Sequence, residues 1–187
     1  MRKSKRCPVP PNAAPTLETE RLILRAHRSS DLEVLLKMWC EPKVYEFIAG
    51  KPSTVEVCWR SILRHAGQWQ MVGFGFWVLE EKSSGAMIGE AGFLDCKRDI
   101  SPPMDETPEM GWALFTAYHG KGFATEAMLK IAEWGDQNLA QDVTACITAP
   151  ENAASNRVAQ KLGFKQIAQT TYKGEPTLLF HRLRGST

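Results

Sequence analysis

The segment HGKGFATEA, residues 119–127, connects a predicted strand to a predicted helix and is the stretch that decides the fold. Glycines at positions 120 and 122 allow a tight turn that directs backbone N–H groups outward. The N-terminus of the following helix adds a partial positive charge to those donors. The segment therefore predicts a cradle for an anion such as a pyrophosphate, to which Lys121 would add one solvent-exposed ionic contact.

Taken alone, this segment is equally typical of an ordinary glycine turn at the start of a helix. It contains neither GxGxxG nor GxxxxGK[ST], so it matches neither of the best-known phosphate loops. The neighbouring segments are needed to decide between the two interpretations.

The elements around this helix predict a parallel crossover. The helix joins the strand EMGWALFT, residues 109–116, to the buried-looking strand DVTACITA, residues 142–149. Strands joined by a helix run parallel in one sheet with a right-handed connection. Asn152 then caps a short helix that ends at Leu162-Gly163. The inner face of the crossover helix carries apolar or small residues at helical spacing, namely Ala124, Ala127, Met128, Ile131 and Gly135.

Farther out, apolar periodicity and turn residues predict the remaining elements. LETERLILRA, residues 17–26, is typical of an edge strand. Two capping boxes, Ser30 to Glu33 and Ser53 to Glu56, open two helices, and the second helix has Val57, Ile62 and Leu63 on one side. Four more strands are predicted: FGFWVLEE (74–81), AMIGEAGFLD (86–95), KQIAQTTYK (165–173) and PTLLFHRL (176–183). The order β-α-α-β-β-β-α-β-α-β-β describes one α/β domain.

Composition limits the classes of protein that the chain can represent. Its 187 residues suit one domain, and its formal net charge of +2 is too small for a general nucleic-acid binder. Five cysteines without a CxxC pair indicate a reducing compartment, and four scattered histidines indicate no metal site. Residues 1–15, basic and rich in proline, predict a disordered tail before a domain of residues 16–187. No apolar run is long enough to cross a bilayer, so we expect a cytoplasmic protein without membrane or specific nucleic-acid partners.

Five segments of the chain resemble segments of the GNAT superfamily of acetyl-CoA-dependent N-acetyltransferases. The loop at 119–127 resembles the family's pyrophosphate signature, and NAASNRVAQKLGF, residues 152–164, resembles its second motif. Three other segments are similar to the ribosomal-protein alanine acetyltransferase branch: TLETERLILR (16–25), FGFWVLEE with Met87-Ile88-Gly89, and EMGWAL (109–114). The resemblance implies a mixed, mostly antiparallel sheet, flanked by helices, whose two central parallel strands splay apart to bind CoA.

The resemblance also implies which residues bind acetyl-CoA, the co-substrate. The main chain of Trp112, Ala113 and Leu114 would pair with the pantetheine arm. Consecutive backbone N–H groups would hold the pyrophosphate, those of His119, Gly120, Lys121, Gly122, Phe123, Ala124 and Thr125. The family has Gln or Arg where this chain has His119, a departure that bears on affinity because the contact is main-chain. Asn152 would reach the pantetheine as well as cap its helix, and Asn156 would contact the cofactor or face solvent.

The reaction implied by the family is direct attack of a neutral primary amine on the acetyl thioester. A carboxylate acting through water would take the amine's proton. Glu109 is the first candidate and Glu90 the second, although each is equally typical of a salt bridge at a strand. A main-chain N–H near Leu114 would polarise the carbonyl oxygen. Many members have a tyrosine where this chain has Ala159, so Ser155 or water would protonate the leaving thiolate.

Two further polar residues are interpreted as structural. Cys146 lies on a strand beside the implied cofactor, but no neighbour in the sequence would activate its thiol. Glu126 is a favourable charge in the first turn of its helix. Neither residue is expected to take part in catalysis.

Acceptor specificity is expected on the side away from the cofactor's nucleotide end. Tyr45 and Phe47 would form walls, and Met104, Asp105 and Glu106 an acidic rim that favours a cationic amine. The acceptor would be a protein N-terminal amine or a small-molecule amine, and the enzyme a monomer or homodimer. Two alternatives stay open: a non-catalytic acyl-CoA-binding sensor or interaction module, and a nucleotide-binding α/β protein.

Overall fold

A computed structural model describes residues 14–186, and a mixed eight-stranded sheet runs through its centre. The strands lie in the order β1-β2-β3-β4-β5-β6-β8-β7, and β5 and β6 form the parallel pair. In chain order they are β1 (Leu17–Glu18), β2 (Leu22–Arg25), β3 (Phe76–Glu81), β4 (Met87–Leu94), β5 (Glu109–Leu114), β6 (Val143–Thr148), β7 (Lys165–Tyr172) and β8 (Glu175–Leu183). The predicted α/β architecture, mostly antiparallel with one central parallel pair, is confirmed.

Helices pack against the sheet in two groups. They are α1 (Leu32–Trp39), α2 (Pro42–Tyr45), α3 (Val55–Val72), α4 (Phe123–Asn138) and α5 (Ala153–Lys161). Successive residues of a strand point to opposite faces of the sheet. Accordingly, Met110 and Leu114 of β5 join the core cluster that contains the buried face of α4, whereas Ala113 joins a second cluster with residues of α1, α2 and α3. The part of β5 that is implicated in function therefore lies between two separately packed layers.

The predicted first strand is divided into β1 and β2. The two strands pair antiparallel, with Leu17 beside Leu24, so the chain reverses direction around Thr19. The Thr19 hydroxyl accepts the N–H of Leu22 at 2.9 Å. The same reversal lets Thr19 and Arg21 bind Glu126 on α4. Because that contact joins residues far apart in the chain, local strand propensity does not reveal the break.

Both predicted capping boxes are wrong in detail. A 3-10 turn, Ser29–Asp31, precedes α1, and there the Asp31 carboxylate accepts the N–H of Arg28 at 2.7 Å. Helix α3 is capped by Thr54, whose hydroxyl accepts the N–H of Val57 at 3.3 Å. Asp, Ser and Thr side chains all cap helices well, so a local run that contains several of them leaves the choice open.

The buried face of α3 also differs from the prediction. Val57 and Leu63 are exposed, and the buried residues are Cys58, Ile62, His65 and Trp69, a regular helical stripe. The stripe was not recognised in the sequence because it contains His65, a polar residue whose ring stacks on Phe76 of β3 and lies 3.7 Å from Glu90 of β4.

The folded domain begins before residue 16. Ala14 is buried, and the carbonyl oxygen of Pro15 accepts the indole N–H of Trp77 at 2.7 Å. The rest of the predicted tail, residues 1–13, lies outside the described residues. No helix in residues 14–186 is both long and apolar enough to span a membrane.

Candidate active site

The parallel strands β5 and β6 separate after a short contact. Their pairing is confined to Glu109 beside Ala145, and the N–H of Ala145 donates to Pro108 O at 3.0 Å. Beyond that point β5 stays paired with β4, and β6 with β8. A cleft of about 530 Å³ lies along β5 where β6 has moved away, bounded by α5, by residues around α2 and by the loop that leads into α4. A strand edge exposed in this way can pair with the amides of an extended ligand.

The glycine loop forms one end of this cleft. Gly120 and Gly122 have φ values of 72° and 85°, which residues with a Cβ rarely adopt. Within the described chain, none of the backbone N–H groups of residues 120–125 donates to a protein acceptor. The first N–H groups of any helix lack partners inside the helix, and here they add to those of the loop. The prediction is wrong for the N–H of His119, which donates to Thr116 O at 3.1 Å, so the arrangement can hold an anion with the N–H groups of residues 120–125.

Glu126 fixes the loop from the first turn of α4. Its carboxylate accepts the N–H of Arg21 at 2.9 Å and the Nε of Arg21 at 2.6 Å, while Arg21 Nη1 donates to Lys121 O at 3.1 Å. Burial by itself raises the pKa of Glu126, but hydrogen bonds from Thr19 and Arg21 outweigh it and hold the pKa below its ordinary value. Glu126 is thus a structural anchor that connects the β1–β2 turn to the loop.

Two more contacts position the loop from the side of β5. His119 Nε2 lies 2.8 Å from the carbonyl oxygen of Leu114. Since a carbonyl oxygen only accepts, His119 carries its proton on Nε2 and donates. After β5, the N–H of Thr116 donates to the Glu41 carboxylate at 2.7 Å, which ties the segment before α2 to this end of the cleft.

Helix α5 forms the wall opposite β5. Asn152 caps it as predicted, accepting the N–H of Ser155 at 3.0 Å, and both side chains line the cleft. Asn156 is turned away instead. Its side chain accepts a hydrogen bond from the Thr148 hydroxyl and donates to Pro150 O at 3.1 Å, so it braces the β6–α5 loop.

The structure brings most of the predicted cofactor-binding residues, and the predicted catalytic Ser155, to the cleft. Those that line it are Trp112, Ala113, Leu114, His119, Gly120, Gly122, Ala124, Thr125, Asn152 and Ser155. Lys121, Phe123, Asn156 and Glu109 are not among its lining residues. Phe123 is buried beneath the guanidinium of Arg21, 4.2 Å from its ring centroid, and the Lys121 ammonium lies 5.7 Å from the ring of Tyr118.

Sequence analysis missed three basic side chains in the cleft. Arg157 and Lys161 extend from α5, and Lys43 from α2. Arg157 and Lys161 are four residues apart and therefore share one helical face, which is the only signal that the sequence offers for them. All three are exposed, so they suit contacts with a charged group near the cleft mouth.

Glu109, the first candidate base, is held in an ion pair. It is 5% exposed, and both of its carboxylate oxygens accept hydrogen bonds from Arg98, one of them at 2.7 Å. The Arg98 guanidinium also lies 4.8 Å from the ring centroid of Tyr172. A bidentate arginine contact of this kind favours a structural carboxylate at the closed end of the splayed strands.

Glu90, the second candidate, is the centre of a buried polar cluster. It lies beside Ala113 in the β4–β5 register and is 1% exposed. One oxygen accepts the indole N–H of Trp39 at 2.9 Å, and the other lies 2.9 Å from His27 Nε2. Because Ala113 lines the cleft and facing side chains in a sheet lie ~5 Å apart, Glu90 is close to the cleft although it does not line it.

The buried environment sets the protonation states of His65 and Glu90. Burial lowers the pKa of His65 to about 3, against an opposing effect of Glu90, so His65 is neutral near neutral pH. Burial by itself raises the pKa of Glu90, but its polar partners lower it to about 2. Because His65 is neutral, the lowering at Glu90 rests on the hydrogen bonds from His27 and Trp39. Glu90 is therefore a buried carboxylate that stays ionised.

His27, His65 and Glu90 are also a group of possible metal ligands, which the scattered histidines of the sequence did not suggest. Their ligand atoms lie within 4.8 Å of one another. However, the two imidazole rings are stacked, with centroids 4.8 Å apart and an interplanar angle of 24°. Imidazole lone pairs lie in the ring plane, so stacked rings direct them side by side and not towards one metal ion.

The other sequence interpretations concern residues outside the cleft. Cys146 is 1% exposed, and burial raises the pKa of its thiol well above the ordinary value, so it belongs to the core as predicted. Met104 is not part of a rim, because it is buried against Ala145 and Leu179. The neighbouring acidic residues at 105 and 106 are exposed and do not line the cleft.

Comparisons with known proteins agree with this geometry. A family model described as acetyltransferase (GNAT) domain matches residues 21–165. The uncharacterised N-acetyltransferase p20 of Bacillus licheniformis is 28% identical over 152 residues, which cover 81% of this chain and 83% of that protein. A GNAT-family acetyltransferase structure from Bordetella pertussis matches with a TM-score of 0.80 and 28% identity, covering 90% of this chain and 99% of that one. A ribosomal L7/L12 α-N-protein acetyltransferase, solved in complex with coenzyme A, shares the fold with a TM-score of 0.75 and 14% identity, over 92% of this chain and 100% of that one.

Proposed function

The chain belongs to the GNAT acetyltransferase family, and on this premise we propose that it transfers the acetyl group of acetyl-CoA to a primary amine. The acceptor is a protein N-terminal amine or the amine of a small molecule, and the attack on the thioester is direct. One observation carries the proposal: a strand edge opened by splaying lies beside a row of backbone N–H groups that lack protein acceptors. The first suits the amides of a pantetheine arm and the second suits a pyrophosphate.

The chain's own residues fit acetyl-CoA along the whole cleft. The backbone of residues 120–125 would bind the pyrophosphate, and Arg157 and Lys161 would contact further phosphate oxygens at the mouth. The edge of β5 at Trp112 to Leu114 would hold the pantetheine, with Asn152 on the opposite wall. This order points the acetyl group towards the closed end of the cleft.

Acyl transfer requires a neutral amine, because the nitrogen lone pair forms the new bond to the carbonyl carbon. An α-amino group has a pKa of ~8 and a lysine amine ~10, so a proton must leave first. We assign its removal to Glu90 with His27, acting through water. Histidine can accept and pass on a proton, whereas the partner of Glu109, Arg98, is a permanent cation and cannot.

The remaining steps use groups that line the cleft. A main-chain N–H near Leu114 would stabilise the negative charge on the carbonyl oxygen while the nitrogen–carbon bond forms. The carbon–sulfur bond then breaks, and the nitrogen loses to water the extra proton that it carries after the attack. The thiolate takes a proton from water, directly or relayed through the Ser155 hydroxyl, which water reprotonates. Ser155 suits this role because it lies in the first turn of α5, on the cleft wall.

The test is a thermal melt with and without acetyl-CoA, followed by a screen of primary amines for acetyl transfer. Acetyl-CoA at 100 times its Kd would stabilise the fold by ~2.7 kcal/mol, which raises Tm by roughly 5–10 °C for a domain of this size. The absence of a shift at millimolar acetyl-CoA would contradict the proposal.

A second function is a non-catalytic acyl-CoA-binding module. It is favoured by one observation, that both candidate bases are engaged by cationic or hydrogen-bonding partners. A thermal shift with acetyl-CoA but no transfer to any amine would support this function in place of the enzyme.

A further inference from the structure

A second cavity lies beside the cleft, on the α1–α3 side of the sheet. Its volume is about 380 Å³, within the range of small-ligand sites. Trp39 at the end of α1, Ile48 in the segment after α2, and Ser61 on α3 contribute to its walls. Ile48 also lines the cleft, so the two cavities share a boundary.

Two of these wall residues contact Glu90, Trp39 directly and Ser61 through His65. Trp39 donates its indole N–H to Glu90 at 2.9 Å. The Ser61 hydroxyl lies 3.4 Å from His65 Nε2, which is itself 3.7 Å from Glu90. Glu90 therefore lies behind the wall of the second cavity and, through its neighbour Ala113, beside the cleft as well.

The second cavity has two positive charges and no carboxylate among its lining residues. Arg60 and Arg64 both line it, one helical turn apart on α3. Arg60 is 3.6 Å from Glu56, but both side chains are at least two-thirds exposed, so that pair is weak. Arg64 donates to the Ser61 hydroxyl at 3.2 Å and makes no ion pair with a carboxylate in the described part of the chain.

We propose that the second cavity binds the acceptor, and that the acceptor is a primary amine carrying a carboxylate or phosphate group. The proposal rests on the acetyl-transfer function and names its substrate class. Arg60 and Arg64 bind the anionic group, because guanidinium groups match the oxygen pairs of carboxylate and phosphate. The ammonium end points inward, towards the wall of Trp39 and Ser61 behind which Glu90 is buried. An acceptor with an anionic and a cationic end thus matches a cavity that has two arginines in its lining and a buried carboxylate behind its inner wall.

The distribution of acidic residues supports this orientation over the cationic acceptor that the sequence suggested. Asp105 and Glu106, the expected acidic rim, line neither cavity. Met104, beside them, is buried against the sheet, which fixes that loop over β6 and β8. The charge that an acceptor would meet on the α3 side is therefore positive.

The experiment compares matched acceptors that differ in the anionic group alone. The pairs are ethanolamine phosphate with ethanolamine, and the C-terminally amidated peptide Ser-Glu-Glu with Ser-Gln-Gln, amidated likewise so that neither has a terminal carboxylate. In the native enzyme, kcat/KM for the anionic member of at least one pair should exceed that of the neutral member by about tenfold or more. The pair with the larger ratio identifies the acceptor as a small molecule or a peptide. Equal values within both pairs would overturn the proposal.

Two double variants test whether Arg60 and Arg64 cause the preference for the anionic acceptor. In Arg60→Gln/Arg64→Gln the anionic-to-neutral ratio should fall about tenfold, mainly through KM for the anionic acceptor. The matched control, Lys37→Gln/Lys165→Gln, removes two exposed charges that line neither cavity and should keep the native ratio. An unchanged ratio in the arginine variant would overturn the proposal.

Direct titration separates this proposal from the proposed enzyme function. Ethanolamine phosphate and Ser-Glu-Glu are titrated into the full chain by calorimetry, without acetyl-CoA. Binding that the arginine variant loses would support the anion site even if no acetyl transfer occurs, an outcome that would count against the enzyme function alone. Failure of both anionic amines to bind or react would overturn the anion site, whatever acetyl-CoA does.

Discussion

The two regions that border the candidate active site differ in the chemical groups that they present. The glycine loop presents backbone N–H groups of residues 120–125, fixed by two left-handed glycines and a helix start. The region around Glu90 presents side chains from β4, α1, α3 and the segment after β2. Main-chain geometry follows from local sequence, whereas a side-chain cluster depends on which distant segments the fold brings together. The first region could therefore be predicted from the sequence, and the second could not.

The largest expected effect tests the side-chain region. Glu90→Gln should lower kcat by about 10²–10⁴-fold while acetyl-CoA still binds, because the proton acceptor is lost but the glycine loop is intact. Steady-state kinetics and a melt with acetyl-CoA measure the two quantities. The matched control is Glu109→Gln, which leaves Arg98 without its carboxylate and should lower the free energy of unfolding by about 1–3 kcal/mol with kcat largely kept. Loss of kcat in the control alone would reverse the assignment.

The next effect tests the main-chain region. Gly122→Asp should raise the Kd for acetyl-CoA by about 100-fold, since a side chain at φ 85° strains the loop and its charge repels phosphate. Gly85→Asp is the control, because Gly85 also has positive φ, at 66°, but lies in the β3–β4 turn with no atom within 4 Å of an added Cβ. That control should lose stability and keep its affinity. Equal Kd values for acetyl-CoA in both variants would show that the glycine loop does not bind the cofactor.

A smaller effect is the pH dependence of stability in the buried cluster. The pKa of His65 is lowered from 6.5 to about 3 and that of Glu90 from 4.5 to about 2. Between pH 6.5 and 3 the unfolded chain therefore holds a proton at residue 65 that the folded chain lacks, and between 4.5 and 2 the same holds for Glu90. Stability is lost as pH falls through these windows.

Urea denaturation at pH 7.5 and 5.5 measures the first part of that loss. We expect the free energy of unfolding to decrease by about 1 kcal/mol from His65 alone, before carboxylates titrate. His65→Phe should flatten the change but not abolish it, because burial also lowers the pKa of His181. A native-like slope in His65→Phe would show that the cluster does not govern it.

The smallest effect separates two cations near the phosphate end. Arg157→Gln should weaken acetyl-CoA binding by about fivefold, in line with an exposed ion pair, because Arg157 lines the cleft. Lys121→Gln should change the Kd by less than about twofold, since Lys121 does not line it. Isothermal titration of both variants measures the difference. A larger loss of acetyl-CoA affinity in the lysine variant would support the contact between Lys121 and a phosphate that the sequence suggests.

Much of the fold was predictable because its patterns are local. The apolar spacing of α4 and the cap at Asn152 identify two helices, and the helix between strands implies the parallel pair. The predictions were wrong where the local structure depends on a residue that is distant in the sequence. The break at Thr19 involves Glu126. The buried stripe of α3 includes a histidine whose partners, Glu90, His27 and Phe76, come from other elements. Localisation in the cytoplasm and the tail at residues 1–13 stay predictions.

By itself, the sequence determined the family, most of the order of elements and the glycine turn at residues 120–122. The family follows from segments that resemble the motifs of known members. The elements and the loop follow from periodicity and glycine positions, which act through the backbone within one or two helical turns. Only the tertiary structure decided that Asn156 faces Thr148, that Arg98 engages Glu109, and that the wall of the second cavity lies next to Glu90. Each of those contacts joins side chains whose meeting depends on how strands and helices pack, because no local pattern fixes the direction or partner of a polar side chain.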